Sequence, residues 1–449
     1  MGLLSKGIKL PKKIATTTFN LIETPLPRRV ILPLKQYIGE PAQPAVSVGD
    51  KVKVGQLIAT ADSHNTLPLH ATISGEVAAI QDHLDHKGRS VSSIIIEGDG
   101  RDTWIESPGE EENVASLEPS EMIKRIHAAG LISKGLVPIP LGTDLVPVDQ
   151  PKTHLSSSDR RVVKEIDTLL INALDPEPSL GVNRYRAWIA NDELANGITA
   201  LKVITGAEKT IFVVDKKIPP YPQLSDMVSK NEEATAITSL DGMRFPLGLP
   251  IPLLKAALGR KVPLPYGHPR DVGVAIYDMD TVVSIGTSVH KQIPQIESMI
   301  TVGGKAISKT GIVRIRIGTP IGELIESLGG FSENPAKIIL GGPMMGMAQY
   351  DLTMPITKET PGLFALTSDE IQVTGDYRQC INCGLCVKVC PVNLVPGMIS
   401  MYCAKGRFNM AEHEGLLTCI ECGCCDYVCP SRRPLVHLFR HAKHQLLET

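Results

Sequence analysis

Two cysteine runs near the C-terminus constrain this chain more strongly than any other feature of its sequence. Eight of the ten cysteines follow the spacing C-x2-C-x2-C-x3-C-P, which occurs twice. The first run comprises Cys380, Cys383, Cys386 and Cys390, and the second comprises Cys419, Cys422, Cys425 and Cys429. Three thiolates on one short loop can bind three corners of an iron–sulfur cube, while the x3 spacing before Pro carries the fourth cysteine away. The runs therefore predict two [4Fe–4S] clusters.

The fourth cysteine of each run is expected to bind the cluster of the other run, as it does in bacterial two-cluster ferredoxins. We therefore predict an exchange of ligands between the two loops. Cluster 1 is predicted to be held by Cys380, Cys383, Cys386 and Cys429. Cluster 2 is predicted to be held by Cys419, Cys422, Cys425 and Cys390.

Structural zinc and disulfides are the alternatives for so many cysteines. Zinc sites usually pair two C-x2-4-C knuckles, and a third nearby cysteine followed by Cys-Pro is not their pattern. The sequence shows no secretory signal peptide, which predicts a reducing compartment where disulfides are rare. The two cysteines outside the runs, Cys403 and Cys424, are predicted to pack as small apolar side chains, and the alternative for Cys424, which adjoins Cys425, is a position near cluster 2.

Length and composition indicate a soluble protein of several domains. A chain of 449 residues exceeds one hydrophobic core, so two to four domains are expected. The 43% hydrophobic and 21% charged residues are ordinary for globular protein. A net charge of −2 gives no reason to expect a nucleic-acid partner. No window approaches eighteen uncharged apolar residues, so we expect no transmembrane segment.

The N-terminal region, residues 1–100, is predicted to form a barrel-sandwich hybrid. Residues 46–59 alternate apolar and polar side chains with Gly49 and Gly55 at turns, and residues 70–80 form a second half of the same kind. The pair resembles biotinyl and lipoyl carrier domains. The tip between the halves contains no lysine, so no swinging cofactor can be attached.

Three further domains complete the prediction of a multidomain α+β protein. Residues 119–290 alternate short apolar runs with helical patterns, which predicts an α/β Rossmann-like domain with parallel strands. Residues 296–352 predict a β-grasp domain of the soluble-ligand-binding type, with a strand pair followed by a helix. Residues 370–449 predict a ferredoxin domain in which helices flank and link both cysteine runs.

This order of domains resembles the C subunit of the Rnf electron-transport complex over nearly the whole chain. The resemblance depends on the cysteine runs, on GGPMMG at 341–346 and on IGTPIGELIESLGG at 317–330. It implies that NADH gives a hydride to FMN on the α/β domain and that single electrons then cross the two clusters. It also implies a position on the cytoplasmic face of a membrane complex, with other redox subunits as partners.

The stretches that would bind FMN and NADH depart from the family's pattern. The family's flavin loop reads AGIVGLGGAGFPT, in which glycines let the backbone approach the phosphate. This chain keeps residues 129–132 and then retains only Gly135 and Pro140. In the second stretch, NGAECEPYL, Asp175 stands for the first acid and Glu177 is retained. The resemblance thus makes Gly135, Asp175 and Glu177 the candidate cofactor residues of a degraded site.

Three functions follow from these predictions. The first is an electron relay that passes single electrons between protein partners through the two clusters, with the α/β domain as a docking scaffold. The second is an NADH dehydrogenase subunit in which FMN passes electrons from NADH to the clusters. The third is an assembly scaffold without redox activity, which two adjacent clusters make the weakest of the three.

Overall fold

The computed structural model describes residues 6–11, 19–63, 65–106, 111–134, 138–145, 164–218, 221–229, 235–371 and 378–448. Within these ranges the helices and strands form the four units that the sequence predicts, in the predicted order, so the fold class is confirmed. No helix in the described ranges combines the length and the hydropathy that a bilayer crossing requires.

The N-terminal unit is a sandwich of two small antiparallel sheets. Nine strands lie in this part of the chain: β1 (Ile8–Lys9), β2 (Leu21–Glu23), β3 (Arg29–Pro33), β4 (Gln43–Pro44), β5 (Lys51–Val52), β6 (Leu57–Thr60), β7 (Leu69–His70), β8 (Gly75–Leu84) and β9 (Ser90–Gly98). One sheet has the order β3-β9-β8-β5 and the other β4-β6-β7. Their facing side chains, among them Leu32, Ile58 and Ile94, are fully buried and form the core between the sheets.

The central unit is an α/β domain around a parallel sheet. Its elements are α1 (Pro119–Ala128), β10 (Ile132–Ser133), β11 (Ile139–Pro140), α2 (Leu141–Asp144), β12 (Thr168–Asn172), α3 (Val182–Ile189), α4 (Asp192–Thr205), β13 (Lys209–Asp215), α5 (Pro222–Ser229), β14 (Thr235–Leu240), β15 (Arg244–Phe245), α6 (Pro250–Leu258), β16 (Val274–Asp278) and α7 (Met279–Lys291). The sheet order is β14-β13-β12-β16, and every neighbouring pair is parallel. Leu169, Leu170 and Ile171 are buried on both faces of the central strand, as a continuous apolar run predicts.

The third unit is a β-grasp domain with one helix on its sheet. It contains β17 (Glu297–Gly303), β18 (Gly311–Arg316), α8 (Ile321–Ser327), β19 (Lys337–Leu340), β20 (Met347–Gln349) and β21 (Gly362–Leu366). The predicted strand pair is present, since β17 and β18 pair antiparallel with Ile300 opposite Val313. Two strands from outside residues 296–352 complete the sheet, because β2 pairs with β18 and β21 pairs with β17.

In the described residues 378–448, the C-terminal unit consists of short helices joined by loops and contains no strand. It consists of α9 (Leu385–Val389), α10 (Pro396–Ala404), α11 (Phe408–His413), α12 (Cys424–Tyr427) and α13 (Leu435–Glu448). Ile399 of α10 and Phe439 of α13 are completely buried in the core that joins these helices.

The N-terminal segment connects the units to one another. β1 pairs with β15 of the α/β domain, and the Gly7 N–H donates to the carbonyl of Val389 in the first cysteine run. Together with β2, this segment therefore contacts the α/β domain, the β-grasp domain and the C-terminal unit. The sequence predicts it as part of the barrel-sandwich hybrid alone. The domain boundaries at 1–100, 119–290, 296–352 and 370–449 stay predictions.

Candidate iron–sulfur site

The two cysteine runs belong to a structural repeat with a period of 39 residues. Left-handed backbone conformations recur at that interval: Asn382 and Glu421, Gly384 and Gly423, Asn393 and Arg432. Each copy passes from a cysteine loop through a short helix to Cys-Pro and then to a longer helix, α10 or α13. Left-handed residues within a loop turn successive backbone N–H groups inward, which favours anionic sulfur. The Glu421 N–H accordingly lies 3.4 Å from the Cys419 sulfur.

A single cavity brings together cysteines from both runs. Cys390, the fourth cysteine of the first run, lines it together with Cys419, Cys422 and Cys425 of the second run, and Cys424, which belongs to neither spacing, lines it as well. The rest of its wall is mainly apolar, with Ile420, Val436 and Phe439 among the lining residues. The Leu394 N–H lies 3.3 Å from the Cys390 sulfur and can donate to it. Four of these five cysteines, Cys390, Cys419, Cys422 and Cys425, are those that the exchange of ligands assigns to cluster 2, and four thiolates are the ligand set of a [4Fe–4S] cluster.

The other set of thiols lies beside the first turn of α10. A Cβ atom on Gly397 would lie 3.7 Å from the Cys386 sulfur and 3.8 Å from the Cys380 sulfur. The Arg378 N–H donates to the carbonyl of Ser431 at 2.9 Å, which holds the chain before Cys380 against the chain after Cys429. Cys383 is exposed, whereas Cys390, Cys422 and Cys425 are buried. The predicted cluster 1 therefore faces solvent and the predicted cluster 2 faces the interior.

The thiols around the cavity differ in how tightly they hold their protons, since a hydrogen bond with Cys424 lowers the pKa of Cys422. Burial raises the pKa of the Cys390 thiol, and it raises that of Cys419 to about 12. Because iron binds the thiolate, formation of a cluster here releases protons. Among the described residues, no three or more His, Cys, Asp or Glu side chains are grouped closely enough to hold a metal ion, so binding of a cluster would draw the thiols together.

The two cysteines outside the runs are packed among apolar groups. Cys403 is buried in α10 within the core of the C-terminal helices. Cys424 is buried against β15, with its sulfur 3.8 Å from the carbonyl oxygen of Phe245. The position of Cys403 agrees with the predicted packing role, whereas Cys424 also lines the cavity of the predicted cluster 2 ligands.

Asp175 lies at the carboxyl end of the parallel sheet, but protein groups bind both of its oxygens. Arg184 Nε lies 2.7 Å from Oδ2, and the Asn183 N–H donates to Oδ1 at 2.9 Å in the first turn of α3. Arg184 also donates to the carbonyls of Pro178 and Leu180. Burial raises the pKa of Asp175 and Arg184 opposes that rise. The third candidate cofactor residue, Gly135, lies outside the described residues.

A second helix N-terminus at the same edge of the sheet also carries carboxylates. Asp278 accepts from the Thr281 N–H at 2.9 Å and caps α7. Asp280, in the first turn, lies 2.6 Å from Lys134 Nζ and 2.9 Å from Arg186 Nε. Burial opposes ionisation of Asp280, but Lys134 and Arg186 outweigh it and lower the pKa to about 2. Helix N-termini at this edge are where nucleotide phosphates usually bind, and carboxylates fill that position in both helices.

Glu177 joins the α/β domain to the GGPMMG loop. Its carboxylate is almost completely buried and accepts from the N–H groups of Met344 at 2.8 Å and Met345 at 2.9 Å. Burial raises the pKa of Glu177 to about 7, although the two N–H groups act against that rise. The loop also contacts the second cysteine run, because Arg440 donates to the Met345 carbonyl at 2.9 Å and Gly423 packs beside the Met344 carbonyl. Glu177 therefore positions the loop that lies against the predicted cluster 2.

Gly342→Ala is expected to break this connection, because a Cβ at position 342 would overlap the Glu177 carboxylate. Overpacking of this kind costs about 1–3 kcal/mol, measurable as a lower urea midpoint. Adding Glu177→Ala should restore part of the loss, so the two substitutions should not be additive. Gly322→Ala, in the first turn of α8, is the comparison variant and should lose less stability, because its Cβ would lie 3.3 Å from Leu352 without overlapping it. Additive effects would contradict the contact.

Lys358 is a buried cation that no sequence motif indicated. It lies where the barrel-sandwich hybrid meets the start of the stretch that resembles the family's flavin loop, and its Nζ donates to the Gly130 carbonyl at 2.6 Å. Burial lowers its pKa to about 7. The backbone of the flavin-like loop is thus bound by a side chain of the protein itself.

Three family models match the chain in the order of its units. The RnfC barrel sandwich hybrid domain matches residues 3–101, the SLBB domain residues 299–348, and a 4Fe-4S binding domain residues 373–395. Three scaffold units followed by a helical unit with cysteine-lined loops define an iron–sulfur electron-transfer protein. The chain belongs to the family formed by the C subunits of Rnf complexes.

Curated relatives match nearly the whole chain. The C subunit of the proton-translocating ferredoxin:NAD(+) oxidoreductase complex of Clostridium ljungdahlii is 35% identical over 93% of this chain and 88% of its own length. The C subunit of the Na(+)-translocating ferredoxin:NAD(+) oxidoreductase complex of Acetobacterium woodii is 32% identical over 99% of this chain and 97% of its own length. The C subunit of the ion-translocating oxidoreductase complex of Rhodobacter capsulatus is 33% identical over 95% of this chain and 80% of its own length.

Proposed function

We propose that this chain relays single electrons between protein partners through two [4Fe–4S] clusters. Cluster 1 would be held by Cys380, Cys383, Cys386 and Cys429. Cluster 2 would be held by Cys419, Cys422, Cys425 and Cys390. The observation that carries the proposal is the cavity in which Cys390 joins three cysteines of the other run, because it interleaves the two sites.

The residues around the thiols would tune and insulate this path. A bound [4Fe–4S] cluster takes up and releases one electron, at a potential set by hydrogen bonds to sulfur and by solvent exposure. The N–H groups of Leu394 and Glu421 stabilise negative charge on two of the sulfurs. Val436 and Phe439 exclude water from the inner site. The exposed loop around Cys383 leaves the outer site accessible to a partner.

The α/β domain would serve this relay as a docking scaffold without FMN or NADH. Asp175 and Asp278 fill the two helix N-termini where phosphate would bind, and each would repel it. Glu177 is engaged with backbone N–H groups of the GGPMMG loop. The groups present therefore do not fit a nucleotide phosphate at either terminus, so no step of the proposed relay passes through one.

The proposed setting is a membrane complex with other redox subunits. The relatives from Clostridium ljungdahlii and Acetobacterium woodii are named as subunits of ion-translocating complexes. By this likeness the chain would attach peripherally to the cytoplasmic face and exchange electrons there with neighbouring subunits.

An NADH dehydrogenase subunit is the second candidate, because both of those relatives are named as parts of ferredoxin:NAD(+) oxidoreductases. Anaerobic reconstitution with iron, sulfide and FMN distinguishes the candidates. The relay predicts about eight iron atoms per chain, no flavin after desalting, and no reduction of the clusters by NADH. Retained flavin with NADH-dependent bleaching would establish the dehydrogenase instead. Iron near zero would leave only an assembly scaffold.

A further inference from the structure

The loop that encloses the predicted cluster 1 carries an exposed face with apolar side chains at its centre. Ile381 is 66% exposed although it adjoins Cys380, and Leu385, 38% exposed, adjoins Cys386. Val395, at the start of α10, is 43% exposed. Cys383, between the two loop residues, is itself exposed. A predicted cluster ligand thus reaches the surface amid large apolar side chains, where water covers them in the isolated chain.

The segment that carries this face is basic, and acidic residues flank it in the sequence at Asp376, Glu412 and Glu414. Residues 378–411 contain four basic residues and no aspartate or glutamate, although the whole chain has a net charge of −2. The basic residues are Arg378, Lys388, Lys405 and Arg407, and all four are exposed. Among the described residues none of the four forms an ion pair. In the second copy of the repeat, by contrast, Glu421 pairs with Arg440 and Lys443.

We propose that this face is the docking site of an acidic electron-transfer protein that carries its own redox group near its surface. The proposal rests on the relay function proposed above. Exposed, unpaired cations of one sign steer a partner of the opposite sign and raise its association rate. Transient redox encounters bury little surface, and an apolar centre beside an exposed ligand lets the two redox groups approach closely. Electrons would enter or leave at cluster 1, with cluster 2 facing the rest of the protein.

Arg378 and Lys388 are the cations nearest the exposed ligand in sequence, so their reversal tests the docking face. The variants Arg378→Glu and Lys388→Glu are compared with Lys309→Glu, an equal charge change on the exposed turn between β17 and β18. The probe is an acidic ferredoxin, and a basic cytochrome c of similar size is the charge control. Binding is measured by carbodiimide cross-linking and calorimetry, and the electron-transfer rate by anaerobic stopped flow.

At 20 mM salt we expect each reversal at the face to weaken ferredoxin binding and slow electron transfer at least about tenfold. Because salt screens exposed charges, the difference should shrink to about twofold at 300 mM salt. For Lys309→Glu, ferredoxin binding and the electron-transfer rate should stay within about twofold of the parent chain. The basic cytochrome should bind more tightly to the Arg378→Glu and Lys388→Glu variants than to the parent chain. Cross-links should form at Lys388.

Binding and iron content separate the docking face from the relay. If the chain holds about eight iron atoms and the charge reversals leave ferredoxin binding unchanged, the docking face is wrong and the relay stands. Charge-dependent binding with iron near zero would overturn the relay alone. Cosedimentation with phosphatidylserine vesicles that Lys388→Glu abolishes, without ferredoxin cross-links, would assign the face to a membrane surface. Self-association lost on reversal would assign it to a second copy of the chain, and either result overturns the proposal.

Discussion

Iron content is expected to fall from about eight to about four atoms per chain when Cys390 is replaced by serine. The cluster that disappears should be the one held by the second run, because Cys390 shares its cavity with Cys419, Cys422 and Cys425. A serine hydroxyl is a poor thiolate substitute, so one missing corner opens the cluster to water. Iron analysis and paramagnetic resonance of the reduced protein, both under anaerobic conditions, measure the loss.

Double substitutions show which cluster has been lost. Adding Cys419→Ser to Cys390→Ser should leave iron at about four atoms, since both residues serve the same cluster. Adding Cys383→Ser instead should bring iron near zero, since that residue serves the other one. Ligation within each run would give the reverse pattern and would refute the exchange of ligands. Cys403→Ser, a change of equal size in the adjacent helix, should keep all eight atoms.

The parts of this fold that the sequence predicts are those that depend on neighbours in the chain. The spacing of the cysteine runs fixes which thiols share a loop, and the apolar run at 169–171 is enough to indicate a strand buried on both faces. Alternation predicted the β17–β18 pair for the same reason. In each case the deciding residues lie within one element or in two consecutive ones.

Contacts between distant segments could not be predicted. The resemblance makes Glu177 a candidate cofactor residue, whereas its hydrogen-bond partners in the structure lie 167 and 168 residues away, and a single carboxylate in the sequence does not distinguish the two roles. The sequence does not indicate that β1 and β2 pair with other units, because strands of two or three residues are too short to show alternation of apolar and polar side chains. Lysine is expected at the surface, so nothing marked Lys358 as buried.

The stretches that correspond to the family's flavin and NADH motifs show both a change that is visible in the sequence and one that is not. The loss of glycines from the flavin-like loop was visible in the sequence and predicted weaker phosphate binding. The guanidinium that now fills the space beside Asp175 was not visible, because Arg184 lies in no motif of the resemblance. Its position depends on α3 packing beside α7, and that arrangement exists only in the folded domain.

Asp175→Asn is expected to destabilise the α/β domain by about 3–5 kcal/mol, because it leaves the buried, protonated Arg184 without its counter-charge. The carbonyls of Pro178 and Leu180 still accept from Arg184 but cannot neutralise it. Urea unfolding followed by the fluorescence of Trp188, which lies in α3, reports on this domain when Trp104 is replaced by Phe. Asp226→Asn, on the exposed side of α5, is the matched control and should change stability by less than about 0.5 kcal/mol.

Replacing both partners, with Asp175→Leu and Arg184→Met, should recover most of the lost stability, since an apolar pair avoids burying charge. If the pair serves only the scaffold, this double variant should also keep about eight iron atoms and the parent's electron-transfer rate. A loss below about 1 kcal/mol in Asp175→Asn would contradict a buried ion pair. Normal stability of the double variant with loss of electron transfer would instead assign the pair to a cofactor, because only a bound group needs that charge in place.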